Sequence, residues 1–323
     1  QEIYIQHGVT TVQEGAATKE GVQMLKKIAD NGQLKIDVVA YPMLNDDGKA
    51  VMDQEKELAG RYENRLKIGG FKLVLDGSPQ ARSAWLSKPY LTGEEGYCGY
   101  PWMSDEAVKE AVRYSVDQGK QILVHCNGDA ASEQFLNAYE DAVENSGQKE
   151  KNSLRPVMIH CQTVRNDQLD RMARLNMIAS IFVGHVWYWG DIHMKNLGPE
   201  RGNHISPAKD ALDRGIVITF HQDTPVTKPD MLHSVWCAVN RISRNRQVIG
   251  SEQKIPVYEA LKAVTIDAAY QYFEENDKGS IRTGKRADLV ILDKSPLDVK
   301  PEDLREIRVL ETIKDGTSIF KAE

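Results

Sequence analysis

Cysteine is scarce and scattered: Cys98, Cys126, Cys161 and Cys237 are the four in 323 residues, and no two form a C-x-x-C pair. A zinc ribbon and a dense disulfide framework are thereby excluded, and the thiols are expected to be reduced and mostly buried. No apolar run approaches ~18 residues, so no membrane span is expected. Lys plus Arg number 41 against 47 Asp plus Glu, a net charge of -6, which lacks the basic surplus of a nucleic-acid or anionic-lipid binder. Aromatic residues make up 7% without basic interleaving, so there is no base-stacking platform. No G-x-G-x-x-G or Walker loop follows the early strands, which removes the usual mark of a nucleotide-binding open sheet. The opening QEIYIQHGVTTV has neither the basic nor the apolar region of a signal peptide, and localisation defaults to the cytoplasm. A small-molecule partner is the expectation that survives.

With 41% hydrophobic and 27% charged residues, the chain reads as globular, with room for about two domains or for one barrel of ~200 to 250 residues plus an appendage. A repeated grammar runs through its first two thirds: a helical stretch, a Gly or Asn suited to a left-handed cap, then a short apolar strand. Gly32 precedes KIDVVAY, Gly69 and Gly70 precede FKLVL, Gly119 precedes QILVH, Asn176 precedes MIASIF and Gly215 precedes IVITF. With TTV at 10 to 12 and PVMIH at 156 to 160, seven strands are expected. Ser104 before DEAVKEAVRYSV, and Ser206 with Pro207 at the first helical position, are helix starts.

Strands apolar on both faces and alternating with helices predict a parallel α/β fold, either an open doubly wound sheet or a (β/α)8 barrel. Lys72 lies within FKLVL, while His125, His160 and Asp223 fall at or just beyond the C-terminal ends of their strands. Polar residues at that end mark the catalytic face of a barrel, which favours the barrel with one strand fewer than eight. From about residue 284 the pattern changes to TGKRADLVILD, a polar stretch, and IRVLETIKDGTSIFKAE, extended strands too few to stand alone.

Lys72, His125, His160 and Asp223 are separated by 53, 35 and 63 residues, spacings that bring four strands to one mouth. Imidazoles and carboxylates converging there would bind a divalent metal, which can lower the pKa of a bound water to about 7. The bland alternative is two hydrogen-bonded core histidines and a loop-capping Asp.

The segments FKLVLDGSPQARSAWLSKPY, VHCNGDAASEQFL, MIHCQTV, LGPER, QDTPVTKPD, VYEALKAVTIDAAYQY and KGSIRTGKRADLVILD occur in this order. Together they resemble amidohydrolase family 3, the YtcJ-like metal-dependent hydrolases, from GVTTV near residue 8 to TIKDGTSIF near 319. The resemblance implies a TIM-like (β/α)8 barrel with a β-sandwich built from both termini, and hydrolysis of C-N bonds in amides or formamides. It implies that Lys72, once carboxylated, bridges two metals, that His125 and His160 are ligands, and that Asp223 holds one metal and acts as general base. An unmodified Lys72 would instead pair with Asp223 or Asp76.

Family members carry an H-x-H on the first barrel strand, and none occurs in this sequence. The expectation is therefore an N-terminally truncated chain: residues 1–284 an incomplete barrel of strands two to eight, and residues 285–323 the C-terminal half of the sandwich. The barrel would be open, closed by another segment, or dimerised across the gap. One divalent metal or none, with zinc favoured, is expected here and two in the intact protein, so this fragment would be impaired in activity. The resemblance also places Asp76, Gly77, Ser78, Glu200 and Arg201 in loops that could contact an amide-type substrate, and Trp187, Tyr188 and Trp189 beside its pocket. His185, His193 and His204, spaced by eight and eleven residues, match no ligand motif and are read as surface or pocket residues. Gln222, preceded by His221, takes the place before Asp223 where the family often has Ser, leaving substrate recognition open. Two other readings of the same residues are a Schiff-base lyase using Lys72 and a non-catalytic binding barrel.

Overall fold

The structure, a computed structural model, describes residues 1–146 and 153–323. Eight strands run parallel among them: β1 (Thr11–Ala17), β2 (Asp37–Pro42), β3 (Leu66–Ile68), β4 (Gly70–Val74), β5 (Gln121–Cys126), β6 (Val157–His160), β7 (Ile178–Ile181) and β8 (Ile218–Phe220). β1, β2 and β3 form one ladder, and β4 to β8 form another. They are one sheet, because β2 reaches past β3 onto β4: Leu44 N donates to Lys72 O at 2.9 Å and Gly69 N to Ala40 O at 3.0 Å. The expected seven strand positions are therefore present, the third being broken into β3 and β4. The break has a steric cause. A Cβ at Gly69 would lie 2.4 Å from the Tyr41 ring, and one at Gly70 would lie 2.1 Å from the Gln121 carbonyl oxygen, so two neighbours press on the chain where only glycine fits.

Helices return the chain between strands, as the expected grammar requires. Thr18 Oγ1 caps the helix Lys19–Asp30 and Ser104 Oγ caps Asp105–Asp117, each accepting from a first-turn N–H. Gly32, Gly119, Asn176 and Gly215 all take positive φ where a helix gives way to a strand. The start proposed at Ser206 is displaced: Ser206 takes φ 50 and spends its hydroxyl on Gln162 Oε1 at 3.1 Å, and the helix runs Ala208–Asp213.

The sheet curls. In a flat sheet β1 and β8, six positions apart, would lie about 29 Å from one another. Yet Gln271 accepts from Thr219 Oγ1 of β8 at 2.7 Å and donates to Gln13 Oε1 of β1 at 3.0 Å. Curling separates two apolar layers. Phe71, Leu73, Ile122, Val124, Met158, Ala179 and Ile218 pack outward under the helices, and Val39, Tyr41, Leu123, Val157, Ile159 and Ile178 fill the interior. No ladder joins β1 to β8 among the described residues, so side chains alone span that seam.

Beyond residue 284, β9 (Leu289–Leu292), β10 (Val309–Lys314) and β11 (Thr317–Lys321) make an antiparallel sheet in the order β11-β10-β9. It is fastened to the N-terminal segment, with Thr312 Oγ1 donating to Ile5 O at 2.7 Å. Fully buried Lys314 meets Asp37 of β2 and Asp288, both at 2.7 Å, and Lys278 meets the same Asp37 at 2.6 Å. Among the described residues no helix is long and apolar enough to cross a membrane.

Candidate metal centre

Strand parity aims most of the site. Residues directly opposed in a ladder share a face, and the pairs Lys72–Leu123, His125–Ile159, Ile159–Ser180 and Ser180–Thr219 put Lys72, His125 and Ser180 on the interior side. His221, two residues beyond Thr219, continues that side past the end of β8. His160 has the wrong parity, since Met158 faces the outer layer. Left-handed backbone at His160 (φ 78) and Cys161 (φ 48) ends β6 and redirects the ring. Asp223 follows β8, also left-handed at φ 49.

Four of these groups meet. His160 Nε2 lies 3.1 Å from His125 Nδ1 and 3.6 Å from Asp223 Oδ2. His221 Nε2 lies 3.3 Å from His160 Nδ1 and 3.6 Å from Asp223 Oδ1. His160, His221 and Asp223 can each present a donor atom with all three within 4.8 Å of one another. Burial pushes the His125 imidazolium down to about 3, and burial with the neighbouring His125 and His221 rings pushes His160 well below its ordinary value. Burial lowers His221 too, against the pull of Asp223. Three neutral imidazoles and a carboxylate are the donor chemistry that a divalent ion such as zinc takes, so the residues present fit one.

Lys72 sits under this group at 5% exposure. Burial brings its ammonium down to about 8, opposed by Asp223 and Cys126. Its Nζ makes no hydrogen bond or ion pair with a described residue, so the pairing with Asp223 or Asp76 considered above does not form.

Asp76 is wholly buried in the loop after β4. Oδ1 accepts from Asn127 N at 3.0 Å, and Oδ2 accepts from Gly128 N at 2.7 Å and Trp85 N at 2.9 Å. Burial raises its carboxyl to about 7 while those N–H groups favour the ionised form. Asp76 thus ties the β4 loop to the turn after β5, and Asn127 in that turn donates from Nδ2 to Gly77 O at 2.8 Å and faces His125 Nε2 at 3.0 Å.

Two residues expected at the substrate are engaged by other parts of the protein. Arg201 donates from Nη1 to Lys88 O at 2.9 Å and from Nη2 to Pro89 O at 2.7 Å, clamping a loop at the rim. Trp187 packs edge-on against Trp236, with ring centroids 5.3 Å apart. Helical residues two apart diverge by about 200°, so Trp189, not Trp187, turns to the site, where its ring lies 4.7 Å from His185 and 5.9 Å from Phe182. Phe182 in turn stands 6.3 Å from the His160 ring and 5.5 Å from His221.

The histidines set aside by spacing divide. His204 is partly buried beside Asp210. His185 and His193 are buried and paired, Nδ1 to Nε2 at 3.1 Å, with the His185 ring 6.3 Å from that of His160. Their separation of eight, two helical turns plus a fraction, was a usable signal for a shared face. His221 was under-read in the same way: H-x-D across a strand end places both side chains on one face.

The amidohydrolase family profile matches residues 4–320. YtcJ of Bacillus subtilis (strain 168) is 27% identical over 275 residues, 83% of this chain and 50% of its own length. The N-substituted formamide deformylase of Arthrobacter pascens is 27% identical over 226 residues, 69% of this chain and 41% of that protein. An uncharacterized metal-dependent hydrolase from Pyrococcus horikoshii OT3 superposes with a TM-score of 0.79 at 28% identity, covering 93% of this chain and 59% of that one. The chain thus spans about half the length of the curated relatives it matches. With a match running almost end to end and a solved relative of the same fold, this chain belongs to the amidohydrolase family.

Proposed function

We propose that the protein is a metal-dependent hydrolase of non-peptide C-N bonds, of the amide or formamide type, acting on a small molecule in the mouth at the C-terminal ends of the parallel strands. The observation that carries this reading is the meeting of His125, His160 and Asp223 around one imidazole nitrogen, with Lys72 beneath. A divalent ion held by these side chains would supply Lewis acidity and an acidified water at neutral pH. Asp223, the most exposed of the group at 39%, takes the proton of the attacking water and returns it to the leaving nitrogen. His125 and His160, kept neutral by burial, offer nitrogen lone pairs rather than charge. Lys72, without a partner of its own, has an amine free to be carboxylated and to join the ligands. Phe182 and Trp189 form an apolar wall for the acyl substituent. The similarity to the formamide deformylase supports the substrate class.

One metal bound by this chain, a domain division near residue 284, and a homodimer belong to the same reading. Its test is metal content by mass spectrometry, with hydrolysis of an amide and N-substituted formamide panel: Asp223→Asn should abolish turnover, and turnover unchanged by that substitution refutes the reading. The partnerless Lys72 amine favours one second reading, a Schiff-base lyase. Borohydride with a carbonyl substrate would then leave a covalent adduct on Lys72.

A further inference from the structure

We propose that His221 and Ser180 form a relay that holds the proton of His160 on Nδ1, so that His160 Nε2 stays open as a donor; His221 is then a positioning residue and not itself a ligand. The inference deepens the metal-centre reading and rests on it for the purpose of that open nitrogen.

The argument is hydrogen-bond valence. A neutral imidazole has one N–H and one lone pair, and each must match its neighbour. Asp223 Oδ2 at 3.6 Å and His125 Nδ1 at 3.1 Å both stand near His160 Nε2, so any ion shared by these residues meets His160 through Nε2. The His160 proton must then sit on Nδ1, whose neighbour is His221 Nε2 at 3.3 Å. That contact requires a lone pair on His221 Nε2 and so a proton on His221 Nδ1. The neighbour of His221 Nδ1 is Ser180 Oγ at 3.0 Å, a hydroxyl that accepts it. Ser180 is 3% exposed, and this is the side-chain hydrogen bond it makes among the described residues.

The other end of the chain agrees. Asn127 Nδ2 donates to Gly77 O at 2.8 Å, which fixes the amide orientation. The same Nδ2, 3.0 Å from His125 Nε2, then donates to that nitrogen as well. Without an ion, His125 Nδ1–H donates to His160 Nε2, and the whole row from Asn127 through His125, His160 and His221 to Ser180 points one way; with an ion on His125 Nδ1 its proton passes to Nε2, where Gly77 O at 3.5 Å stands as the acceptor. A ligand role for His221 would use the same single lone pair and leave His160 Nδ1–H facing no acceptor. One lone pair cannot do both, and at 3.3 against 3.6 Å His160 is the nearer claimant.

Orienting partners of ligating histidines are worth about 10- to 100-fold in metal affinity. In a Zn2+ competition titration against a chromophoric chelator, His221→Ala should weaken binding by about that factor with stoichiometry unchanged. His221→Gln, whose side-chain carbonyl can accept from His160 Nδ1, should recover most of the loss. With Co2+ as probe, the visible absorption of His221→Ala should keep the band positions and intensity of the unsubstituted protein, since no ligand has been removed. A metal-free readout stands beside these: the 15N-coupled Nδ1–H resonance of His160 should be present in the unsubstituted protein, lost in His221→Ala and retained in His221→Gln.

Loss of stoichiometry and a changed Co2+ spectrum in His221→Ala, without rescue by Gln, would make His221 a ligand and overturn the proposal. Unchanged affinity in His221→Ala would overturn it as well. If the unsubstituted protein takes up neither Zn2+ nor Co2+ while the His160 Nδ1–H resonance responds as stated, the relay stands and the metal-centre reading falls.

Discussion

Replacing Asp76 by Asn changes one atom and tests how the β4 loop is tied to the turn after β5. Asp76 Oδ2 accepts two backbone N–H groups and Oδ1 accepts one. The best amide rotamer keeps its oxygen toward Trp85 and Gly128 and sets NH2 against the N–H of Asn127. One bond to a buried acceptor is lost, worth about 1.5 to 3 kcal/mol when charge-assisted, and a buried donor is left facing another donor. Part of that is recovered as the loop shifts, and part because an amide is spared the burial cost that lifts the Asp76 carboxyl to about 7, so a net loss of about 2 kcal/mol is expected against the ~5 to 15 kcal/mol typical of a folded chain. Urea unfolding should show a lower midpoint at unchanged m. Because Asn127 contacts His125, the same substitution should also weaken Zn2+ binding. A stability loss below about 1 kcal/mol would refute the idea that Asp76 holds these segments together.

Zn2+ at a hundredfold excess over its Kd should raise the unfolding free energy by about 2.7 kcal/mol, seen in thermal melts and reversed by dipicolinate; identical melts with and without metal would count against the centre. Burial alone would raise the carboxyls of Asp37 and Glu274, but Lys278, with Lys314 at Asp37 and Lys67 at Glu274, brings both below their ordinary values. Their contribution is therefore full above the unfolded carboxylate range, about 4, and is lost as the pH falls through the lower folded values; unfolding free energy should drop with acid across that window, and less steeply in Lys314→Met. That variant leaves Asp37 with Lys278 and Arg65 but takes the Lys314 ion pair from Asp288, and should cost about 2 to 3 kcal/mol at neutral pH, less than the loss of every partner of a buried charge, read by urea titration. Arg201→Gln should leave Zn2+ affinity within about twofold, since Arg201 holds the Leu197, Lys88 and Pro89 carbonyls, and should speed proteolytic cleavage of that loop; a lost metal site would place Arg201 closer to the chemistry than its bonds do.

Periodicity made most of this architecture readable. Gly32, Gly119, Asn176 and Gly215 take the left-handed backbone that the spacing demanded, and the polar residues at strand ends pointed to one mouth. Gly69 and Gly70 were visible as punctuation, but that they break a strand needed Tyr41 and the Gln121 carbonyl, contacts of distant sequence. Lys72, His125 and Asp223 were marked by residue type at strand ends. His160 was marked too, yet its parity points away from the interior, and only a left-handed turn brings it round. Arg201 and Trp187 were placed by loop position, which says nothing about which carbonyl or ring a long side chain will find. The fixed intervals of a ligand motif do not point to His221, His185 and His193, whereas two strand ends and a helix bring these rings near one another.

The seam closed by Gln271 bears on what size of molecule the mouth accepts. Elsewhere neighbouring strands are laced by main-chain bonds, and parting them would unravel a ladder. Between Gln13 and Thr219 the ties are side chains, Gln271 to both and the Tyr272 hydroxyl to Gln13 at 3.3 Å, and releasing them forfeits three hydrogen bonds of about 1 kcal/mol each. The girth of the ring can therefore dilate there at small expense while the His125 to Ser180 row, anchored on contiguous strands, keeps its shape. For the small-molecule hydrolase proposed above, tolerance for bulky substituents would then be set from the floor of the molecule, at a glutamine far removed in sequence from His125, His160 and Asp223.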